Sequence, residues 1–311
     1  MIDNSLTRDD AWTQYVQNLT SNVKDESSNA CIFPIIMEAG NTDICRGVQG
    51  IRWDKWTERD EEREYRLLVE LTHGVIIMLK NHLSQLPHTD STDAVENPGG
   101  IVDVFLSYSN HDGKSIAARI RKWMSNNTTL SSFFAPMNIP AGQSFSDIIL
   151  NKIPHGAMLV IYTDSYSSRP WCRREVIEAK RKNIPMVVID YLRTIDERSI
   201  PYLGNVPVIR MKQAKRTIPR IIVRLLDELL KNLLWRYVTR KLCDPSNQVT
   251  FMARPPELVA LAAMPKTSTN ETRMIVYPDP PLSSDDIELF YDVDPNLKLL
   301  NLKKWQAEFE I

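Results

Sequence analysis

Compact apolar runs of strand length occur at residues 102–108, 157–162 and 184–190. Between and after them, apolar positions return every three or four residues over 113–125, 145–152, 171–182 and 218–237, the period of a helix with one buried face. Runs that are apolar throughout mark strands buried on both faces. Strands of that kind alternating with amphipathic helices over short connections predict a parallel sheet with helices on each side. The middle of the chain therefore reads as an α/β unit, a flavodoxin-like doubly wound parallel sheet, with functional groups expected where the carboxyl ends of the strands open into loops.

The flanks have patterns of their own. Residues 1–86 form an N-terminal α/β segment: a helical pattern over 10–19, apolar runs at 31–37 and 48–53 that read as short strands, and a long helix over about 59–83. Residues 87–100, rich in Thr, Ser, Asp, Asn, Pro and Gly, read as a linker. The central unit spans 101–240. Residues 241–311 read as a C-terminal extension or the start of a further domain, with a strand at 274–277 and a helix from Ser284, too little for an independent core. The order strand, short strand, long helix occurs in both 32–83 and 184–235. The N-terminal segment thus reads equally as a degenerate relative of the second half of the central unit or as an unrelated α/β piece.

Composition narrows the function classes. The chain has 311 residues, 43% hydrophobic and 25% charged, with a net charge of −1, so a large core is available and a dedicated nucleic-acid binder is disfavoured. Arg173, Arg174, Lys180, Arg181 and Lys182 cluster on one helix and read as its solvated face. The amino terminus lacks the pattern of a secretory signal, and no apolar run reaches the roughly 20 residues of a membrane span. A cytoplasmic protein with no membrane contact is expected. Cys31, Cys45, Cys172 and Cys243 have no paired spacing, which predicts free thiols and no metal site. The ten glycines form neither a G-x-G-x-x-G nor a Walker loop, so no bound dinucleotide cofactor is expected.

Three segments carry chemistry. Asp103-Val104-Phe105-Leu106-Ser107-Tyr108-Ser109-Asn110-His111-Asp112 is a buried strand ending in hydroxyl side chains, followed by an Asp placed to cap the next helix. Phe133-Phe134-Ala135-Pro136-Met137-Asn138-Ile139-Pro140-Ala141-Gly142-Gln143-Ser144-Phe145 leads from a strand into a turn shaped by Pro140 and Gly142, with Ser144 placed to cap the next helix. Ser165-Tyr166-Ser167-Ser168-Arg169-Pro170-Trp171-Cys172-Arg173-Arg174-Glu175 sets Trp171 and Glu175 one turn apart on one helix face. In this order the three segments resemble the conserved boxes of TIR (Toll/interleukin-1 receptor) domains: the first strand, the BB loop, and the S-x-Y-x-x-S-x-W-C-x-x-E signature. The flanks, including Tyr277-Pro278-Asp279-Pro280-Pro281, resemble bacterial TIR proteins with additional segments, which implies a role in antiphage defence signalling.

TIR domains divide into enzymes that consume NAD⁺ and non-catalytic assembly modules. The resemblance to the first kind implies an NAD⁺ glycohydrolase with a linear or cyclic product. Its catalytic residue would be Glu175, and Ser107, Tyr108, Ser109, Phe134 and Trp171 would contact substrate. Self-association would run through the BB loop at Asn138, Ile139, Pro140 and Gly142. NAD⁺ would be a consumed substrate, not a cofactor. A carboxylate suits this chemistry, because leaving nicotinamide builds oxocarbenium character on the ribose and departs neutral, so one negative group suffices. The residues also allow a plainer reading, with Trp171 a core anchor, Glu175 a surface acid paired with Arg173 or Lys180, the hydroxyls bonded to local backbone, and Cys172 a packed thiol. The alternative function is a signalling scaffold without chemistry.

Overall fold

A computed structural model describes residues 1–23, 30–39, 48–86, 102–134, 156–194, 199–212, 214–242, 249–262 and 272–309. Its centre is a parallel sheet of five described strands: β1 (Asp103–Tyr108), β2 (Ser131–Phe134), β3 (Ala157–Tyr162), β4 (Met186–Asp190) and β5 (Val208–Arg210), in the spatial order β2-β1-β3-β4-β5. Every pairing is parallel. This is the flavodoxin-like order, and its topological switch lies between β1 and β3, where the chain opens a crevice at the strands' carboxyl ends. At the opposite, amino end of the two strands, Gly156 permits their close approach. A Cβ there would sit 1.9 Å from the carbonyl oxygen of Asp103.

Side chains alternate across the sheet. Val104, Leu106, Leu159, Ile161, Val187 and Ile189 face one side, packed with Ile116 and Ile120 of α4 (Lys114–Asn127). Phe105, Met158, Val160, Met186 and Val188 face the other, under Cys172, Val176 and Ala179 of α5 (Pro170–Arg181). Because all three central strands are apolar on both faces, they read in sequence as continuous runs, and the expected strands match the observed ones closely.

The first side is completed by two long helices. In α6 (Ala214–Leu242), Ile221, Ile222, Leu225, Leu226 and Leu229 lie against the sheet; α3 (Asp60–Gln85) packs on α6 and adds Val69, Ile76, Leu79 and Leu83 to the same core. Arg240 of α6 donates to the carbonyl of Leu83 at 3.0 Å, so a cation closes the carboxyl end of α3. The N-terminal helices α1 (Asn4–Arg8) and α2 (Asp10–Val23) precede it. The strands expected at 31–37 and 48–53 are replaced, among the described residues, by two single parallel bridges, Ile2 with Ile36 and Ile35 with Ile51. Pro34 lacks the N–H that a ladder needs, which accounts for part of this shortening. Residues 87–100 and the helix expected at 145–152 lie outside the described residues.

The C-terminal stretch is richer than its sequence pattern suggests. Beyond the expected strand and helix, found as β7 (Arg273–Tyr277) and α8 (Ser284–Val293), it contains β6 (Val249–Phe251), α7 (Leu258–Ala262), β8 (Leu297–Asn301) and α9 (Leu302–Phe309). The strands form a parallel sheet in the order β6-β7-β8. Met252, Ile275, Tyr277, Phe290, Leu297 and Leu299 make an apolar cluster of its own. Trp305 of α9 and Val276 of β7 meet Trp235 of α6, fastening this sheet to the central unit.

Candidate functional site

The second turn of α5 carries Glu175 inward, beneath the carboxyl end of β1. Pro170 opens the helix at a position that needs no backbone N–H. Glu175 is 5% exposed. Ser107 Oγ donates to its Oε2, and Tyr166, itself fully buried, shares a hydrogen bond of 2.6 Å with the same hydroxyl. Burial pushes the Glu175 carboxyl up to about 8, with the Ser107 bond opposing the rise. Burial likewise pushes the Cys172 thiol up to about 12 and, with the charge of Glu175, drives the Tyr166 phenol well above its ordinary range. In this trio only Glu175 changes charge near neutral pH. An acid so displaced, at the open end of a parallel sheet, has the character of a functional group.

A second network lies across the crevice. Asp112 accepts from Thr163 Oγ1 at 2.7 Å, Ser165 Oγ at 2.5 Å and Ser165 N at 3.0 Å, while Ser109 and Ser165 share a hydroxyl contact at 2.6 Å. The loop after β1 is thereby laced to the loop after β3. These bonds hold the Asp112 carboxyl below its ordinary range against the opposing effect of burial. Asp164 does the same for the loop after β4, accepting from the backbone of Arg193 at 2.8 Å and from Thr194 Oγ1 at 2.8 Å. Between the three loops is an open cleft of about 420 Å³ whose wall includes His111, Tyr191 and Arg193.

The family model for the TIR domain matches residues 104–223. This stretch is a TIR domain. Its limits run from β1 into α6, so the crevice and Glu175 both fall inside it. No curated protein matches the chain. Among solved structures it is similar to the TIR domains in the structure of the activated Roq1 resistosome directly recognizing the pathogen effector XopQ, at 20% identity and a TM-score of 0.26, covering 29% of this chain and 58% of that one. The matched part thus spans little more than half of that chain.

Within the TIR domain the expected site residues separate. Ser107 and Glu175 meet directly. Ser109 sits beyond the strand end and bonds Ser165. Tyr108 turns to the opposite face of the sheet, into the cluster under α4 and α6, because neighbouring positions on a strand point to opposite sides. Trp171 is 57% exposed, which excludes a core anchor, and Arg174 stacks over its ring at 5.8 Å. Glu175 is no surface acid either. Lys180, read as part of a solvated face, is 8% exposed and bonds the carbonyl of Gly204 and the carboxylate of Glu257, each at 2.6 Å.

Asp112 does not cap α4, whose N-cap Gly113 makes no side-chain bond; its carboxylate is committed to the β3 loop instead. The backbone of Phe134 ends β2, but its side chain lies outside the described residues, as do Asn138, Ile139, Pro140, Gly142 and Ser144. Tyr166 and the Asp112–Ser165 lacing were not singled out as site residues from sequence. The signature containing Ser165 and Tyr166 was the available signal. Among the described residues no group of His, Cys, Asp and Glu could hold a metal ion, and no helix is long and apolar enough to cross a membrane.

Proposed function

We propose that the TIR domain hydrolyses NAD⁺ at the bond between nicotinamide and ribose, with Glu175 as the catalytic carboxylate. The observation that supports this reading best is the burial of Glu175 against Ser107 at the carboxyl end of β1, with its carboxyl displaced to about 8. In the reaction, the bond from ribose C1′ to the nicotinamide nitrogen breaks and its electron pair leaves with neutral nicotinamide. The ionised carboxylate stabilises the cationic sugar, and water bonds to C1′ and loses a proton, giving ADP-ribose; capture of C1′ by an atom of the adenine base would give the cyclic product. The cationic nicotinamide ring itself favours ionisation of Glu175 when substrate arrives.

Burial also fits a switch. A carboxylate only 5% exposed offers substrate little access in a single copy, so self-association through the BB loop would complete and open the pocket. A head-to-tail contact of that kind need not close into a ring, and filaments become available. Such gating would suit a cell in which constant NAD⁺ loss is harmful, including one defending itself against phage.

Nicotinamide release from NAD⁺, followed with the purified full chain across a dilution series and a pH series, tests the proposal. Specific activity is expected to rise with protein concentration. Below the displaced pKa, kcat/KM is expected to climb about tenfold per pH unit and to level off above about 8, because the free enzyme must lose the Glu175 proton. An absence of nicotinamide at every concentration would favour the scaffold. A pH profile already flat from about pH 6 would remove Glu175 as the titrating group.

A further inference from the structure

A second cleft of about 420 Å³ lies between α6, the turn before β5 and the segment that follows β6. Three cations line it: Arg224 and Lys231 from α6, and Arg254 from the C-terminal stretch. One carboxylate in the wall, Glu228, serves all three, at 2.8 Å from Arg224, 3.6 Å from Lys231 and 3.2 Å from Arg254. Asp227 also takes Arg224 at 3.0 Å and Lys231 at 2.8 Å. Glu257, paired with Lys180 at 2.6 Å, adds a further negative charge near Arg254, but in the lining of the cleft itself three cations stand against one carboxylate. Arg254 is the most enclosed of the three, with its side chain 19% exposed, and burial pulls its pKa down. An incompletely compensated, partly dehydrated guanidinium gains most from a further anion.

The walls add shape. Asn205 lines the cleft with a left-handed backbone, φ 56°, and its amide reaches the carbonyl of Pro255 at 3.4 Å, tying the turn to the C-terminal stretch. Asn232, 9% exposed, lines the α6 side. We infer that this cleft binds a phosphate-bearing small molecule of nucleotide size, its phosphates held by Arg224, Lys231 and Arg254. Phosphate is favoured over a single carboxylate because a ligand must compete with Glu228 for three cations, and guanidinium forks match phosphate oxygens. The volume falls in the range of small-molecule sites. Since Arg254 belongs to the C-terminal stretch and the other two cations to α6, the ligand would clamp that stretch onto the TIR domain.

Isothermal titration of the full chain at low salt with pyrophosphate, and separately with ADP, tests the site. Saturable one-site binding is expected, weakened at least fivefold in Lys231→Met and in Arg224→Met and unchanged in Lys122→Met, an exposed cation on α4 outside the cleft. Both substituted side chains are substantially exposed, at 56% and 41%, so these variants should keep the wild-type circular dichroism spectrum. Tighter binding of ADP than of pyrophosphate is expected for a ligand of nucleotide size, and the reverse order would overturn that assignment. No saturable binding of either probe up to about 10 mM, or wild-type affinity in both cation variants, would overturn the inference.

Discussion

Replacing Glu175 by Gln is expected to reduce nicotinamide release by roughly a hundredfold to a thousandfold, the scale on which removing one electrostatic stabiliser acts, while making the folded chain more stable in alkaline solution. The two effects share one cause. Burial holds the carboxyl up to about 8 in the folded chain, against an ordinary value of 4.5. Between those values the folded state keeps a proton that the unfolded state gives up, so wild-type stability falls as pH rises through that window and levels off above it. Gln keeps the size and a hydrogen-bond acceptor for Ser107 but has no proton to lose. Its advantage should therefore grow from about pH 5 to about pH 8 and then hold, on the order of a few kcal/mol at about 1.4 kcal/mol per pKa unit. Thermal melts of both proteins over this range, beside the nicotinamide assay, separate the outcomes. A variant with full activity would dismiss the catalytic role, and one less stable at every pH would show that the ionised form is well accommodated.

Deleting residues 1–86 is expected to leave a chain that does not hold the native fold, although the excised piece contains none of the TIR signature. The helix α3 lies against α6 and buries Val69, Ile76, Leu79 and Leu83, three of them with no exposed surface. At about 1.5–3 kcal/mol for each large apolar side chain fully buried, their removal costs an amount comparable with the whole stability of an ordinary domain. It also uncovers the apolar face of α6, which invites aggregation. Circular dichroism and size exclusion of a fragment beginning at residue 87 check this. A soluble fragment with a cooperative melt near that of the full chain would show that α3 is dispensable. In the full chain, Leu83→Asp should reproduce the loss, since it places an unpaired charge at a site with no exposed surface.

The central elements were legible in the amino-acid sequence because their physics is local. A strand buried on both faces must be apolar throughout, so 102–108, 157–162 and 184–190 stood out, and the alternation of strand and helix was enough to predict a doubly wound parallel sheet. The spacing of Trp171 and Glu175 likewise placed both on one helix without any knowledge of what surrounds it. Elements whose stability comes from partners were not legible. Strand β6 is only three residues long, and β8, Leu297–Asn301, interposes Lys298 among its leucines and runs directly into α9, so its pattern merges with that of a helix. The short β6 and the β8–α9 segment are held by packing on β7, Phe290 and Trp235, contacts that arise only when distant parts of the chain meet.

The site divides along the same line. The resemblance to TIR domains selected Ser107 and Glu175 separately, 68 positions apart, and could not say whether the acid faces water or the interior. Tertiary structure decided that: closing α5 over β1 takes Glu175 out of water, and the cost of burying its charge moves the carboxyl towards neutral pH. Strand alternation sends Tyr108 to the other face of the sheet, and the packing of α5 leaves Trp171 in solvent, against a grouping based on adjacency. Asp112 looked like a helix cap because capping is the nearest use for an Asp at a helix start, yet the fold brings Thr163 and Ser165 within reach, and three hydrogen bonds outcompete one cap. Local pattern determines which element a residue occupies; long-range packing sets the dielectric and the partners around it, and those decide its chemistry.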